Sequence, residues 1–148
     1  LGEIGYNLAI PQLKQLLDKS NTNDLRLSAT ISLGMLGDTL ITSDLALLLN
    51  DEEPNIRWES AIALAKLGDT RSIPIIKDLL QRKYINNFPN VDEWEKVQVL
   101  LVAIHATGIL KSDEFLPYLL ELAKNDLNMK IRDSAIKTLK YIYNREIS

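Results

Sequence analysis

Apolar residues recur along this chain at helical spacing. Ile56, Ser60, Ala63, Leu64 and Leu67 fall at i, i+4, i+7, i+8 and i+11, one stripe on a helix of 3.6 residues per turn. Gly68 follows the last of them, where a residue without Cβ accepts the left-handed conformation that closes a helix. Gly5, Gly37 and Gly108 are expected to end helices in the same way. A second helix is predicted after each glycine. Pro11, Pro74 and Pro117 lie in its first turn, where a missing N–H costs nothing, and Ser43 takes that place in the remaining unit. Beyond them run the stripes Leu13, Leu16, Leu17; Leu45, Leu48, Leu49; Ile76, Leu79, Leu80; and Leu119, Leu122, Ala123.

These paired helices repeat. The segment from Leu25 to Thr39 recurs from Ile56 to Thr70, 31 residues on, and Leu1–Gly5 matches Leu33–Gly37 at a spacing of 32. Ile104–Gly108 fits the same slot as the residues ending at Gly68, now 40 residues away, and Ile131–Leu139 restarts the pattern. The expected organisation is a single array over 1–148: a truncated unit at 1–19, units at 24–51, 55–82 and 94–124, a half unit at 128–148, and an insertion at 83–91. One hairpin buries too few aliphatic side chains to offset the entropy of ordering it, so neighbours must stack. The fold class is therefore all-α, an α-solenoid of stacked helical hairpins. Apolar residues at both ends, Leu1, Ile4 and Leu8 and then Tyr141, Ile142 and Tyr143, lead us to expect a piece of a longer protein and end-to-end self-association of the fragment.

Composition narrows the chemistry. With 46% hydrophobic and 25% charged residues the chain reads as an ordinary soluble domain. It has no cysteine, which excludes disulfides, thiolate nucleophiles and cysteine-bound metal. His105 is its single histidine, which excludes a multi-histidine metal site within the chain. The greasiest stretch, Val97 to Leu110, is short and interrupted by Gln98, His105 and Thr107, so it reads as a buried helix and not a membrane span. The formal net charge is −3, against a general grip on nucleic acid; the faintly basic last third, with Lys130, Arg132, Lys137, Lys140 and Arg145, is the only candidate patch. The charge clusters Asp51-Glu52-Glu53 and Asp92-Glu93-x-Glu95 sit at helix junctions and read as helix-terminal solvation. No catalytic residue, cofactor or metal ligand is nominated, and a cytoplasmic setting is expected.

The pattern apolar-Arg-x-x-Ala/Ser-x-x-x-Leu-x-x-Leu-Gly-Asp, followed by Ile-Pro-x-Leu/Ile-x-x-Leu-Leu, resembles the HEAT repeat family, specifically its short PBS-lyase HEAT-like type. The resemblance covers nearly the whole chain. It implies a scaffold or adaptor that holds another protein on the surface of the second helices, with bilin handling as the alternative. It also implies a polar ladder in which an Asp precedes by six residues the Arg of the next unit, a spacing kept by Asp51 with Arg57 and by Asp126 with Arg132. A carboxylate at that place can accept from the guanidinium and from the free N–H groups of the following helix. Ser20 stands for Asp before Arg26, and Val97 occupies the Arg slot of the third unit, which puts that unit's ladder contact in question. HEAT-like hydroxylases hold iron with His-Glu pairs, and His105 has no Glu beside it.

Opposite the leucine stripes, the second helices are expected to show solvent Gln12, Gln15 and Lys19; Asp44, Leu47 and Asp51; Ile75, Asp78 and Arg82; and Tyr118, Glu121 and Asn125. Leu47, Ile75 and Tyr118 are apolar residues on a face that should be polar, which suggests anchors for a partner; the plainer reading is a solvated face. The insertion carries Tyr84 and Phe88 and reads as an exposed loop or short turn. It serves either partner contact or as a lid over the first helix of the third unit, where Val99 replaces the polar residues of its siblings. Trp58 and Trp94 are expected to pack against a neighbouring unit or an inter-repeat edge, the alternative being an outer-face aromatic that docks a partner. The stacking requirement is testable: a synthetic peptide spanning 55–82 should give a circular dichroism spectrum dominated by random coil, whereas per-residue helicity equal to that of the full chain would contradict it.

Overall fold

The computed structural model describes residues 2–37 and 39–144, with side chains from Ala9 onward. Leu1, Asp38 and Arg145, and the side chains of Ile4 and Leu8, lie outside the described residues. The α-helices are α1 (Gly2–Leu16), α2 (Asn23–Leu36), α3 (Thr42–Leu48), α4 (Pro54–Lys66), α5 (Ile73–Leu79), α6 (Arg82–Ile85), α7 (Glu93–Leu110), α8 (Leu116–Asn125) and α9 (Met129–Tyr141), and no strand occurs among the described residues. The fold class is all-α. Two compact units emerge, Leu1–Ser72 and Ile73–Ser148, and their boundary falls inside the repeat expected over 55–82.

In the first unit α2 lies against α4, with α1 packed on α2 and α3 on α4. The stripes meet in a core of Ile10, Leu33, Ile41, Leu45, Leu48, Ile56, Ala63 and Leu64. In the second unit α7 and α9 pack side by side, α5 lies on α7 and α8 on α9. There Ile76, Leu79, Leu100, Ile104, Phe115, Leu119, Ile131 and Leu139 are buried. A turn of 3₁₀-helix leads into each of α3, α5 and α8. Pro74 and Pro117 then sit in the first turn of α5 and α8, where no intrahelical hydrogen bond is lost.

Two of the four expected glycine stops occur. Gly37 and Gly68 adopt φ of 65° and 77°, the left-handed conformation that closes α2 and α4. The other two expectations fail. Gly5 lies within α1, which runs without a break through Pro11, so Pro11 is inside a helix and not in its first turn. Gly5 is followed by Tyr6-Asn7-Leu8-Ala9, whereas Gly68 is followed by Asp69, whose carboxylate accepts the Arg71 N–H at 3.0 Å and holds the turn. α7 likewise passes Gly108 and ends at Leu110, capped by Lys111 with φ 54°. The residues after Gly108, Ile109 and Leu110, are apolar and continue the helix; the turn chemistry arrives only with Ser112, whose hydroxyl accepts the Glu114 N–H. The end of α9 is fixed onto this turn. The Tyr143 phenol donates to the carbonyls of Thr107 and Ser112, both at 3.0 Å, and burial pushes its pKa up to about 12.

The insertion is only partly a loop. Its start forms α6, which packs on α5 and buries Ile85. Asn86 accepts from Lys96 of α7 at 3.1 Å. Tyr84 and Phe88 stack edge to face at 5.2 Å and are half-buried, as is Val99. Trp58 is buried at 3% exposure, while Trp94 stands 71% exposed at the start of α7, contrary to the expected packing of both. Trp94 lies in the first turn, two residues past the cap Asp92, before α7 turns its apolar face inward at Val97.

Close approach of α2 and α4 depends on Gly34. A Cβ there would stand 2.8 Å from the Ala63 Cβ, which is fixed to its own backbone and cannot swing away. Alanine would gain about 1 kcal/mol of helix propensity, but separating the helices costs about 1–3 kcal/mol. Gly34→Ala should therefore lower the thermal midpoint, and Ala63→Gly in the same chain should recover part of the loss; a rise in midpoint for Gly34→Ala alone would contradict this packing.

Candidate functional site

Polar ties position the second helices. In the first unit Arg26 of α2 is buried, and its Nε donates to the Leu17 carbonyl past the end of α1 at 3.1 Å. Its two terminal nitrogens form a bidentate pair with the Asp51 carboxylate just beyond α3, and only 6% and 3% of the two side chains is exposed. The same carboxylate accepts the Glu53 N–H at 3.0 Å, at the entry to α4. Burial works against the charge on Asp51, yet the Arg26 hydrogen bonds and the Glu53 N–H hold its carboxyl below the ordinary range.

This corrects two expectations. Asp51 does not face solvent with Asp44 and Leu47, because α3 ends at Leu48 and the chain turns its side chain inward to Arg26. The six-residue spacing from Asp51 to Arg57 is also not a side-chain pair. Arg57 Nη1 donates to the main-chain carbonyls of Asp51 and Glu52 at 2.8 and 3.1 Å, and Arg132 does the same to the Asp126 carbonyl at 2.7 Å. The carboxylates are already occupied. At the third such place stands Ser20, whose N–H donates to the Asp18 carboxylate at 2.8 Å and holds the Asp18 pKa below its ordinary value.

In the second unit the Arg slot holds Val97, and the expected gap is filled from elsewhere. Arg82, at the start of α6, pairs bidentately with Asp126 at 2.9 and 3.1 Å and reaches Glu93 at 2.7 Å. Arg82 is thus not a member of the solvent-facing stripe. Asp126 also accepts the Asn128 N–H at 3.0 Å, and again burial opposes its charge while Arg82 and that N–H lower its pKa. Arg82 stands 31 residues after Asp51, so in repeat register a base takes the place of an acid. The two departures, Val97 for Arg and Arg82 for Asp, compensate each other.

Each unit opens a cleft on its second helices. In the first, a cleft of about 560 Å³ lies between α1 and α3, lined by Lys14, Gln15, Leu17, Asp18, Asp44, Leu47 and Leu48. Lys14 and Asp44 pair across it at 3.0 Å, and Leu47 is 78% exposed at its edge. In the second, a cleft of about 590 Å³ lies between the α5–α6 segment and α8. Tyr118, Glu121, Leu122 and Asn125 line it from one face of α8, and Arg82, Lys83, Asn86 and Glu93 from the other side. Of the residues nominated from sequence, Gln15, Asp44, Leu47, Tyr118 and Glu121 line these clefts. Exposed Gln12 and Asp78, half-buried Ile75, and the Tyr84–Phe88 pair do not. Lys14, Asn86, Glu93 and exposed Leu127 line them without having been nominated; they come from elements whose approach no local pattern reveals.

The HEAT-repeat family model matches residues 10–85. The chain belongs to the HEAT-repeat family. The match specifies HEAT repeats and no subtype, and no curated protein matches the sequence. HEAT repeats are in general protein-interaction scaffolds. Elsewhere in this HEAT-repeat protein, His105 is exposed on α7 and lines a smaller apolar cleft, of about 320 Å³, that α7 shares with α9. No described helix is long and apolar enough to cross a membrane.

The buried pair sets a testable dependence. Arg26→Met leaves the Asp51 carboxylate buried without its cation, which should cost about 3–5 kcal/mol in urea unfolding at neutral pH. Because the folded-state pKa of Asp51 is lowered, its pairing stabilises the wild type above the ordinary carboxylate pKa, and this contribution disappears as pH falls through the folded value. The deficit of Arg26→Met should therefore shrink on acidification; a deficit that is constant with pH would show that the pair does not titrate as described.

Proposed function

We propose that this HEAT-repeat protein is a non-catalytic interaction module whose protein partner docks on the second-helix faces. The observation that supports this best is that two clefts, one in each unit, open on second helices and are lined by five of the residues nominated there from sequence, Gln15, Asp44, Leu47, Tyr118 and Glu121. Leu47 adds apolar area at the rim of the first cleft and Tyr118 an aromatic ring in the wall of the second. Such residues amid polar neighbours supply the contact energy of protein interfaces, while the surrounding charges set orientation and on-rate.

Site-specific photo-crosslinking tests the reading. A photoreactive amino acid at Leu47 or Glu121 should capture a partner in cell extract at several times the yield of one at Met35 on α2 or Trp94 on α7, which are also exposed. The combined variant Leu47→Asp and Tyr118→Ala should lose that capture while keeping its helical content. Equal or greater yield at Met35 and Trp94 would place docking on the first helices and overturn the proposal.

A further inference from the structure

We infer that the cleft of the second unit seats a basic side chain, arginine or lysine, presented by the protein partner, with the Glu121 carboxylate as its counter-charge. This rests on the docking reading above and gives that docking its chemistry.

Charge points this way first. The cleft is lined by three carboxylates, Glu93, Glu121 and Asp126, against two cations, Arg82 and Lys83. All three Arg82 nitrogens already donate to carboxylates, Nε and Nη2 to Asp126 and Nη1 to Glu93. Its single charge is shared by two carboxylates, and Glu93 keeps 66% of its side chain in solvent. Glu121 is exposed, and its hydrogen bond is to the uncharged Asn125 amide at 3.0 Å. Lys83, exposed on α6, offsets one unit, so the lining carries a formal excess of negative charge.

Shape points the same way. Tyr118, Glu121, Leu122 and Asn125 are spaced at i, i+3, i+4 and i+7, so they form one face of α8 along the cleft. A half-buried phenol ring and a leucine on the same face as a carboxylate suit a side chain with a long aliphatic stem and a cationic head. An acidic partner side chain would meet Lys83 there but also the three carboxylates Glu93, Glu121 and Asp126. A volume of about 590 Å³ accommodates such a side chain together with the adjoining backbone.

The test is an NMR titration of the full chain with three Gly/Ser-rich decapeptides that differ only in one central residue, Arg, Gln or Glu. The Arg peptide should shift the amides of Tyr118, Glu121, Leu122 and Asn125 with an affinity at least about fivefold above that of the Gln peptide, and added salt should erode the difference. Glu121→Gln, a conservative change at an exposed site, should bring Arg binding down to the Gln level without moving the thermal midpoint. Lys83→Gln should strengthen Arg binding. The inference is overturned if millimolar Arg peptide leaves these amides unshifted, if Arg and Gln peptides bind alike, if Glu121→Gln binds as the wild type does, or if the Glu peptide is preferred. Partner crosslinking retained at Glu121 and Leu47 alongside any of those results would sink the basic-side-chain inference alone. Loss of crosslinking at both would remove the docking reading beneath it.

Discussion

A guanidinium buried between a carboxylate and a helix-end carbonyl organises the first unit. Arg26 belongs to α2, yet it reaches the Leu17 carbonyl beyond α1 and the Asp51 carboxylate beyond α3, and Asp51 in turn holds the Glu53 N–H before α4. One side chain thus joins the ends of four helices. Hydrophobic stripes drive the helices together but leave them free to slide, because apolar contact is roughly proportional to area and indifferent to direction. A bidentate pair inside the protein has direction, and losing one partner strands a charge where water does not reach it.

The second unit meets the same requirement with different residues. Its first long helix, α7, carries Val97 where the repeat calls for arginine, so Asp126 would be left buried without a cation. Arg82 supplies the charge from α6, the short helix that the nine-residue lengthening of the repeat makes room for. The insertion is therefore part of the frame: Ile85 enters the core, Arg82 enters the ladder, and Asn86 meets Lys96. It also builds one wall of the larger cleft, so the same departure from the repeat that preserves the frame creates a surface unlike that of the first unit.

That division of labour suits a HEAT-repeat protein. First helices α2 and α4, and α7 and α9, pack on each other and carry much of the burial. Second helices need only one apolar stripe to stay attached, which leaves their opposite faces free to vary in charge and shape. In the first unit that face offers a lysine–aspartate pair and a bare leucine; in the second it offers a tyrosine, a glutamate and a floor of carboxylates around one arginine.

Local pattern determined a good deal. The 3.6-residue periodicity, the prolines in the first turns of α5 and α8, and the left-handed glycines at 37 and 68 specify helix pairs and their order, because each acts within a few residues of itself. The same reasoning nominated Gln15, Asp44, Leu47, Tyr118 and Glu121, which line the clefts, and equally Gln12, Ile75 and Asp78, which with Tyr84 and Phe88 of the insertion do not, since helix geometry gives the face opposite a buried stripe but not where a cleft opens on it. It failed where the decisive neighbour was distant. Gly5 and Gly108 carry the residue type of a stop without the turn chemistry that follows Gly68. Asp51 looked paired to Arg57 because they are close in sequence, whereas the guanidinium that reaches its carboxylate is 25 residues earlier. Arg82 and Asp126 are 44 apart, and only the folding of the second unit brings them together. Helices were a property of the sequence; which charges met, and so where the clefts opened, was settled by tertiary contact, because a hydrogen bond selects its partner by position in space.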